Sequence, residues 1–494
     1  MKCLVAFLVL FVPAIIAAQS MGPQDVLTSV EDSRYRRALA VAGEATGPWA
    51  IDSTRRAFGL RAARIAVGGN SGLPNVREEG VAWSGRGMNV SGSVLAAGSF
   101  RALTVQLEPM IWWAQNTSFP LVSTAVTTPP YPFSDPARPR LVDLPQRFGD
   151  SQLARLDAGE SNAVFAWRGG RVALTSAGRT LGSGSYHNIV MQQDAGGFPR
   201  LEIGTDRGIK TPLGSFSGTL ASGRIAQSPW APAERAGARH GSFFEGRWQP
   251  FGDERLALGG VRFYHRDWQG IRAKDLLVPF GSFFFDEQNF GGGDDDNQLA
   301  AVFMSARVAD AGLELFAEFG KQDRSLNLRD LAVELEHNSA WLVGGQKAWL
   351  DSRGQIWSVT ATGVSGRVPR INVFRPQQTF YEHFFLSQGH TSRGQLLGTQ
   401  LLERTGGAEV RVDRYQAGGR TAAIISSRSL PNRKGVGLAE DFLRQEWSAW
   451  LEQLRFTSHG SYFARLGAIA DIGRDPARGD SYSLSVSVGY THRR

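Results

Sequence analysis

Past its first residues the chain has no cysteine. The one it has, Cys3, precedes an apolar run, so a chain cut behind that run holds no thiol, disulfide or thiolate-bound metal. A lipid-anchored protein would carry its cysteine directly after the run instead. Cysteine avoidance suits export to an oxidising compartment. Long hydrophobic stretches are missing too. After residue 20 nothing approaches the roughly 20 apolar residues that a membrane-spanning helix needs. Lysine is scarce, and the formal charge of +8 is spread along the chain without a compact basic block. Nucleic-acid binding therefore has no footprint. No GxSxG elbow, HExxH helix or P-loop stands in a supporting context, so no enzyme is expected.

The N-terminus does carry a signal. Lys2 is followed by the apolar Leu4 to Ile16 and the small-residue exit Ala17-Ala18-Gln19-Ser20. This is the grammar of a secretory signal peptide, with cleavage expected after Ala18. Residues 1–18 are read as the signal and residues 19–62 as a helical periplasmic segment. In the latter, Val26, Leu27, Val30, Leu39 and Val41 are interleaved with charges, and Asp52-Ser53 offers a second N-cap.

From residue 63 to 494 the period is two. In the last segment Tyr482, Leu484, Val486, Val488 and Tyr490 alternate with Ser481, Ser483, Ser485, Ser487 and Gly489. One face is apolar with aromatic ends and the other small and polar, as a strand between lipid and lumen requires. A half-buried soluble strand shows the same alternation, but without aromatic ends. Leu103, Val105 and Leu107 repeat the pattern, as do Leu299, Ala301 and Phe303. In other strands the second face is charged: Glu314 and Glu318 oppose Leu313, Leu315, Ala317 and Phe319. Glu409, Arg411 and Asp413 flank Val410 and Val412, while Glu446, Ser448, Trp450 and Glu452 flank Trp447, Ala449 and Leu451. A sheet packed on both sides would not tolerate such regular charges; a polar interior does. The 58 glycines and 10% aromatics fit strands, turns and interfacial girdles.

Gly169-Gly170, Asp351-Ser352-Arg353-Gly354, Gly406-Gly407 and Gly418-Gly419 read as hairpin connections. Their rhythm implies roughly 16 to 20 strands, within the range of large barrels. Prolines 120, 129, 130, 132, 136, 139 and 145 exclude strands over 117–147 and mark a long loop or an inward fold. Residues 279–297 hold Phe283-Phe284-Phe285 and Asp294-Asp295-Asp296. The acid triplet lacks the alternate ligand spacing of a calcium loop, so a solvated loop is expected, with no metal or cofactor.

Three blocks resemble the capsule-assembly (Wzi-type) outer-membrane protein family. Trp83-Ser84-Gly85-Arg86-Gly87-Met88-Asn89-Val90 is similar to the family's opening strand, followed by Glu108-Pro109 and Ala114-Gln115-Asn116. The second block runs from Arg147-Phe148-Gly149 through Gly182-Ser183-Gly184-Ser185-Tyr186-His187-Asn188 to Gly197-Phe198-Pro199 and Ile203-Gly204-Thr205. The third spans Glu318-Phe319-Gly320, Glu336-His337-Asn338, Tyr381-Glu382-His383 and Gln388 to Gly398. The chain departs from the family where Gly182-Ser183-Gly184 replaces a Trp-Gly-Pro turn and where Arg200 follows Gly-Phe-Pro. The resemblance implies an all-β, antiparallel outer-membrane barrel of about 18 strands with a short periplasmic helical element. It also implies a lectin-like role, holding capsular polysaccharide or exopolysaccharide at the cell surface. The alternative is a porin or uptake channel for small solutes.

Sugar polymers are held by aromatic faces and by planar groups that chelate hydroxyls; the arginine fork suits acidic sugars. In the matched blocks the candidates are Arg324, Glu336, His337, His383, His390 and Arg393, each of which could equally serve a salt bridge inside a packed lumen. The other expected partners are outer-membrane lipid and lipopolysaccharide, and a monomer is expected. His337-Asn338-Ser339 and the His383/His390 pair invite a hydrolase reading. On a strand, however, Asn338 would face away from His337 and Ser339.

Overall fold

The computed structural model describes residues 26–49, 57–75, 77, 80–122, 133–135, 142–184, 186–231, 237–270, 277–280, 296–322, 332, 335–366, 380–383, 386–403, 405–431, 443–475 and 478–493. Its strands close into an antiparallel barrel of 18. They are β1 (Gly59–Asn70), β2 (Gly87–Phe100), β3 (Leu103–Leu107, resuming at Met110–Ala114) and β4 (Leu153–Asp157, resuming at Asn162–Trp167). Next come β5 (Gly170–Thr175), β6 (Arg200–Thr205, with Ile209–Thr211), β7 (Gly214–Ile225), β8 (Arg239–Gln249) and β9 (Leu256–Asp267). Then follow β10 (Asp296–Val308), β11 (Leu313–Gln322), β12 (Ser339–Leu350), β13 (Ile356–Ser365) and β14 (Gly406–Gln416). The last four are β15 (Gly419–Pro431), β16 (Leu443–Thr457), β17 (Gly460–Asp475) and β18 (Gly479–Arg493). Pairing of Ala62–Asn70 with Ser485–Arg493 joins first strand to last, so no sheet edge is left at the seam.

Apart from the short link between β17 and β18, the short turns share one rim with the chain ends, and the long connections share the other. Short turns mark the periplasmic side of such barrels. At the turn before β15 only glycine fits: Gly419 has φ +137°, and a Cβ there would lie 2.0 Å from the Leu454 carbonyl oxygen. Gly406-Gly407 is not a hairpin turn, because these residues open β14 after the 366–405 connection. Trp83 to Arg86 lie in a loop rather than in an opening strand, and β2 begins at Gly87. The first strand opens at Gly59, ahead of the period-two pattern at residue 63.

Most of the outer wall is apolar. Tyr482, Leu484, Val486 and Val488 are exposed on β18, and Trp447 and Leu451 on β16. One stretch turns the other way. Leu299, Ala301 and Phe303 are buried toward the interior, while Val302 and Met304 face out. The cause is that this side of the lumen is itself an apolar core. Leu181, Val190, Met191 and Phe198 of the 176–199 connection pack on Ala221, Phe243, Val261, Phe263 and Phe303. Ile189 and residues 380–402 continue this packing onto Leu299, Phe316, Leu342 and Val364. Each aromatic ring buried there contributes about 1.5–3 kcal/mol.

Helix α1 (Ser29–Val41) packs inside the wall near the lower rim. Thr28 caps it reciprocally: Glu31 N–H donates to Thr28 Oγ1 at 3.2 Å, and Thr28 N–H to Glu31 Oε2 at 3.0 Å. Acidic Glu31 and Asp32 in the first turn suit the helix dipole. Its buried Tyr35 and Ala38 pack with Leu27 and Trp49 on Ile356, Tyr415 and Leu454. Tyr35 stacks on Trp49 at 4.5 Å. A second helix at Asp52-Ser53 falls outside the described residues, as do most of the proline-rich stretch, the Phe283-Phe284-Phe285 run and Asp294-Asp295.

The outer wall has one polar sector. On β7–β10 the outward-facing Ser222, His240, Ser242, Arg262, Tyr264 and Gln298 are all buried. Part of the 268–295 connection folds back over this wall. Its single turn Val278–Phe280 places the Pro279 carbonyl 3.4 Å from Arg262 Nη1 and the Phe280 ring 4.8 Å from Phe244. Arg262 also donates to Gln298 Oε1 through Nε at 2.9 Å and to the Tyr264 hydroxyl. An arginine facing hydrocarbon near the bilayer middle costs about 2–4 kcal/mol; this strap removes the need to face it.

Candidate functional site

The lumen divides into two unlike halves. In the first, the 176–199 and 366–405 connections dive inward and lock together. Glu318, on the inner face of β11, accepts from Ser183 N–H at 2.7 Å and Ile189 N–H at 2.8 Å. The chain approaches so closely that a Cβ on Gly182 would lie 2.4 Å from Glu318 Oε1, so the glycine at this place is a steric requirement. Tyr381 donates its hydroxyl to the Ile189 carbonyl at 2.5 Å and accepts from Thr399 N–H at 3.1 Å.

His390 belongs to this plug. Its Nε2 donates to the Val190 carbonyl at 2.5 Å, which leaves Nδ1 to accept from His265 Nε2 at 2.7 Å. Burial and the neighbouring Arg239 guanidinium hold the His390 imidazole down to about 3, so it stays neutral. Arg239, fully buried, donates to the carbonyls of Gly389 and Thr391. Arg393 pairs with Asp157 and donates to the Gly197 carbonyl at 2.7 Å. His383 Nδ1 accepts from Leu386 N–H at 3.0 Å. His390, Arg393 and His383 are thus brought together as parts of one inward fold.

Glu336 and His337 lie elsewhere, on the turn before β12 at the outer rim, with Glu336 exposed. Ser339 Oγ donates to the Glu336 carbonyl at 2.9 Å, and Lys321 Nζ to the His337 carbonyl at 2.7 Å. Arg324 is outside the described residues. Among the described residues no cluster of three or more His, Cys, Asp or Glu could hold a metal.

The second half, lined by β14–β18 with β1 and β2, is polar. Arg411 pairs with Asp413 and Glu452 at 2.9 Å each, and Arg420 binds the same two carboxylates at 2.9 Å each. Arg465 reaches Glu452 at 3.0 Å, Arg77 meets Glu409 at 2.7 Å, and Arg428 bridges Glu446 at 2.9 Å and Glu403 at 2.6 Å. Tyr186, from the inward connection, reaches this side with Arg34 at 4.9 Å and Arg411 at 5.2 Å from its ring centre. Burial and Asp413 push its phenol up to about 12. These groups surround a cavity of about 450 Å³ that Arg34, Tyr186, Arg428, Glu446, Trp450 and Arg465 help to line. Such a set of planar charged groups and aromatic faces can chelate hydroxyls and stack on rings. The alternating charges of β14 and β16 marked this wall in the sequence. The partners Arg77, Arg420, Arg428 and Arg465 carried no such local pattern.

No family model matches the chain, and no curated protein matches it. Solved structures do. Wzi from Escherichia coli, described as an outer membrane protein involved in group 1 capsule assembly and a carbohydrate-binding β-barrel, aligns at 12% identity with a TM-score of 0.58. That alignment covers 87% of this chain and 84% of Wzi. Pseudomonas aeruginosa OccK2 in complex with glucuronate aligns at 11% identity and TM-score 0.44, over 89% of this chain and 100% of that one. Acinetobacter baumannii OccAB2 aligns at 8% and 0.43, over 87% and 98%. Of these three, only the Wzi superposition exceeds 0.5, and at such identities it speaks to the fold alone. The fold is that of an outer-membrane β-barrel.

Proposed function

We propose that this chain is a monomeric outer-membrane barrel that binds polysaccharide at the cell surface and attaches or organises capsular polysaccharide or exopolysaccharide there, without catalysis. The observation that carries the reading is the obstructed lumen. One half is filled by two inward connections, and α1 packs inside the wall at the lower end of the other. A solute channel needs a continuous water path; a surface anchor does not. The sequence blocks that resemble the Wzi-type family and the fold shared with Wzi, whose description is carbohydrate binding, support the same reading.

Contacts to sugar are assigned to the rim residues Glu336 and His337, to Arg324, and, separately, to the charged half-lumen of β14–β18. His383, His390 and Arg393 contribute by holding the inward connections in place. The deciding experiment is a gene deletion scored for surface-retained polysaccharide, complemented with the wild-type chain; unchanged retention overturns the proposal. In planar bilayers the purified chain is expected to give no large steady conductance, and a porin-like conductance would favour the uptake reading.

A further inference from the structure

The polar sector on the outer wall has a height as well as a composition. On β18 the aromatic ends of the apolar face are Tyr482 and Tyr490, eight positions apart. Eight positions along a tilted strand rise roughly 20 Å, close to the height of a barrel's apolar band. On β7 and β8 the lower girdle is Phe216 stacked on Trp248, at 6.1 Å between centroids. Eight positions above these stand Arg224 and His240, and eight above Leu258 on β9 stands Arg266.

The strand register puts these three side by side: Arg224 opposite His240, and His240 opposite Arg266. Where β12, β16 and β18 carry the exposed rings of Trp341, Trp447 and Tyr482 at the upper interface, this sector carries two guanidiniums flanking an imidazole. Arg224 is exposed and, among the described residues, makes no ion pair. Its guanidinium lies 6.0 Å from the Trp268 ring centre, which is tilted against His240 at 6.2 Å. Ser222 Oγ and His240 Nε2 are 2.7 Å apart, and the fully buried Ser242 Oγ just below has no hydrogen-bond partner among the described residues. Below that, the exposed Leu277 and Phe280 of the strap present apolar surface to the membrane.

We propose that this row is a binding site for a phosphorylated lipid of the outer leaflet. The phosphate sits on Arg224 and Arg266, whose backbones are about 10 Å apart across three strands. His240 and its Ser222 partner lie between them, and the acyl chains run down over Leu277 and Phe280. Guanidinium groups suit phosphate because their donors match two oxygens at once. The height matches because headgroups lie where the upper girdle lies. The site is independent of the lumen and of any polysaccharide there.

The test uses the full chain in nanodiscs of zwitterionic phosphatidylcholine, titrated with diphosphoryl lipid A or its dephosphorylated form, with bound lipid read by native mass spectrometry. The wild type is expected to retain the phosphorylated lipid selectively. Arg224→Gln should weaken retention roughly tenfold, the loss of one charge-assisted contact, while Arg224→Lys keeps most of it. Arg266→Gln provides a second reading should the first variant fail to fold, and folding is scored by heat-modifiable gel migration. Equal retention of the two lipids, or undiminished retention in folded Arg224→Gln and Arg266→Gln, overturns the proposal. Displacement of the lipid by millimolar inorganic phosphate would identify a free-phosphate site and overturn it too.

Discussion

The two halves of the lumen solve the same problem with opposite chemistry. Strands β7–β13 present Phe243, Phe263, Leu299 and Leu342 inward and must be covered by chain, so two connections fold down and form a dry core. Strands β14–β18 present Arg411, Asp413, Arg420, Glu452 and Arg465 inward and satisfy them with one another, leaving an open cavity. Apolar inner faces demand a plug, whereas paired charges can stand beside water. The lesson is that a barrel wall's inner composition decides where its loops go, and therefore which part of the lumen remains for a ligand.

The contrast can be broken most directly by thiol accessibility, because Cys3 is the one native cysteine and lies in the expected signal. Ser448→Cys, which lines the cavity, should label with a water-soluble maleimide at the rate of an accessible thiol. Ala301→Cys, in the packed half, should stay unlabelled in the folded barrel. Equal labelling would erase the distinction. Next in size is Glu318→Ala, which strands two buried N–H groups of the inward connection at about 1–3 kcal/mol each. Protease cleavage within 176–199 and a rise in bilayer conductance should follow; neither should occur with Ser448→Ala.

Acidification should loosen the packed half through His390. Its folded pKa, about 3, lies below the unfolded value near 6.5, so the unfolded state binds the extra proton between those limits. Stability from this group is intact above pH 6.5 and falls by up to about 1.4 kcal/mol per unit as pH drops toward 3. Amide exchange at Thr391–Leu396 measures it, and protection that is flat over that window would contradict the assignment. Smallest is Arg428→Gln in the open half, where a partly hydrated pair with Glu446 and Glu403 is worth about 1 kcal/mol. Urea midpoints should show that modest loss, with thiol labelling at Ser448→Cys unchanged.

The barrel was legible wherever the two faces differ in polarity. β18 and β14 announced themselves because lipid faces one side of each and serine or charge the other. Legibility failed where both faces are apolar or both polar. Leu299, Ala301 and Phe303 alternate correctly yet point inward, because the plug makes the lumen side the drier one. On β9 the outward Arg262 breaks the apolar rule, since the 278–280 turn covers it and no local spacing reports that. The candidate sugar ligands fared similarly. His390 and Arg393 sit in a motif-rich stretch, but their partners Val190, His265, Asp157 and Gly197 come from far along the chain.

The strap gives the molecule a front and a back in the plane of the membrane. A barrel with a uniform outer band can be met by neighbours from any direction. Here one sector is armoured by its own chain, while Leu484, Val486, Leu466 and Leu451 on the opposite strands are bare. The bilayer therefore meets bare strand residues on one flank and the molecule's own chain on the other.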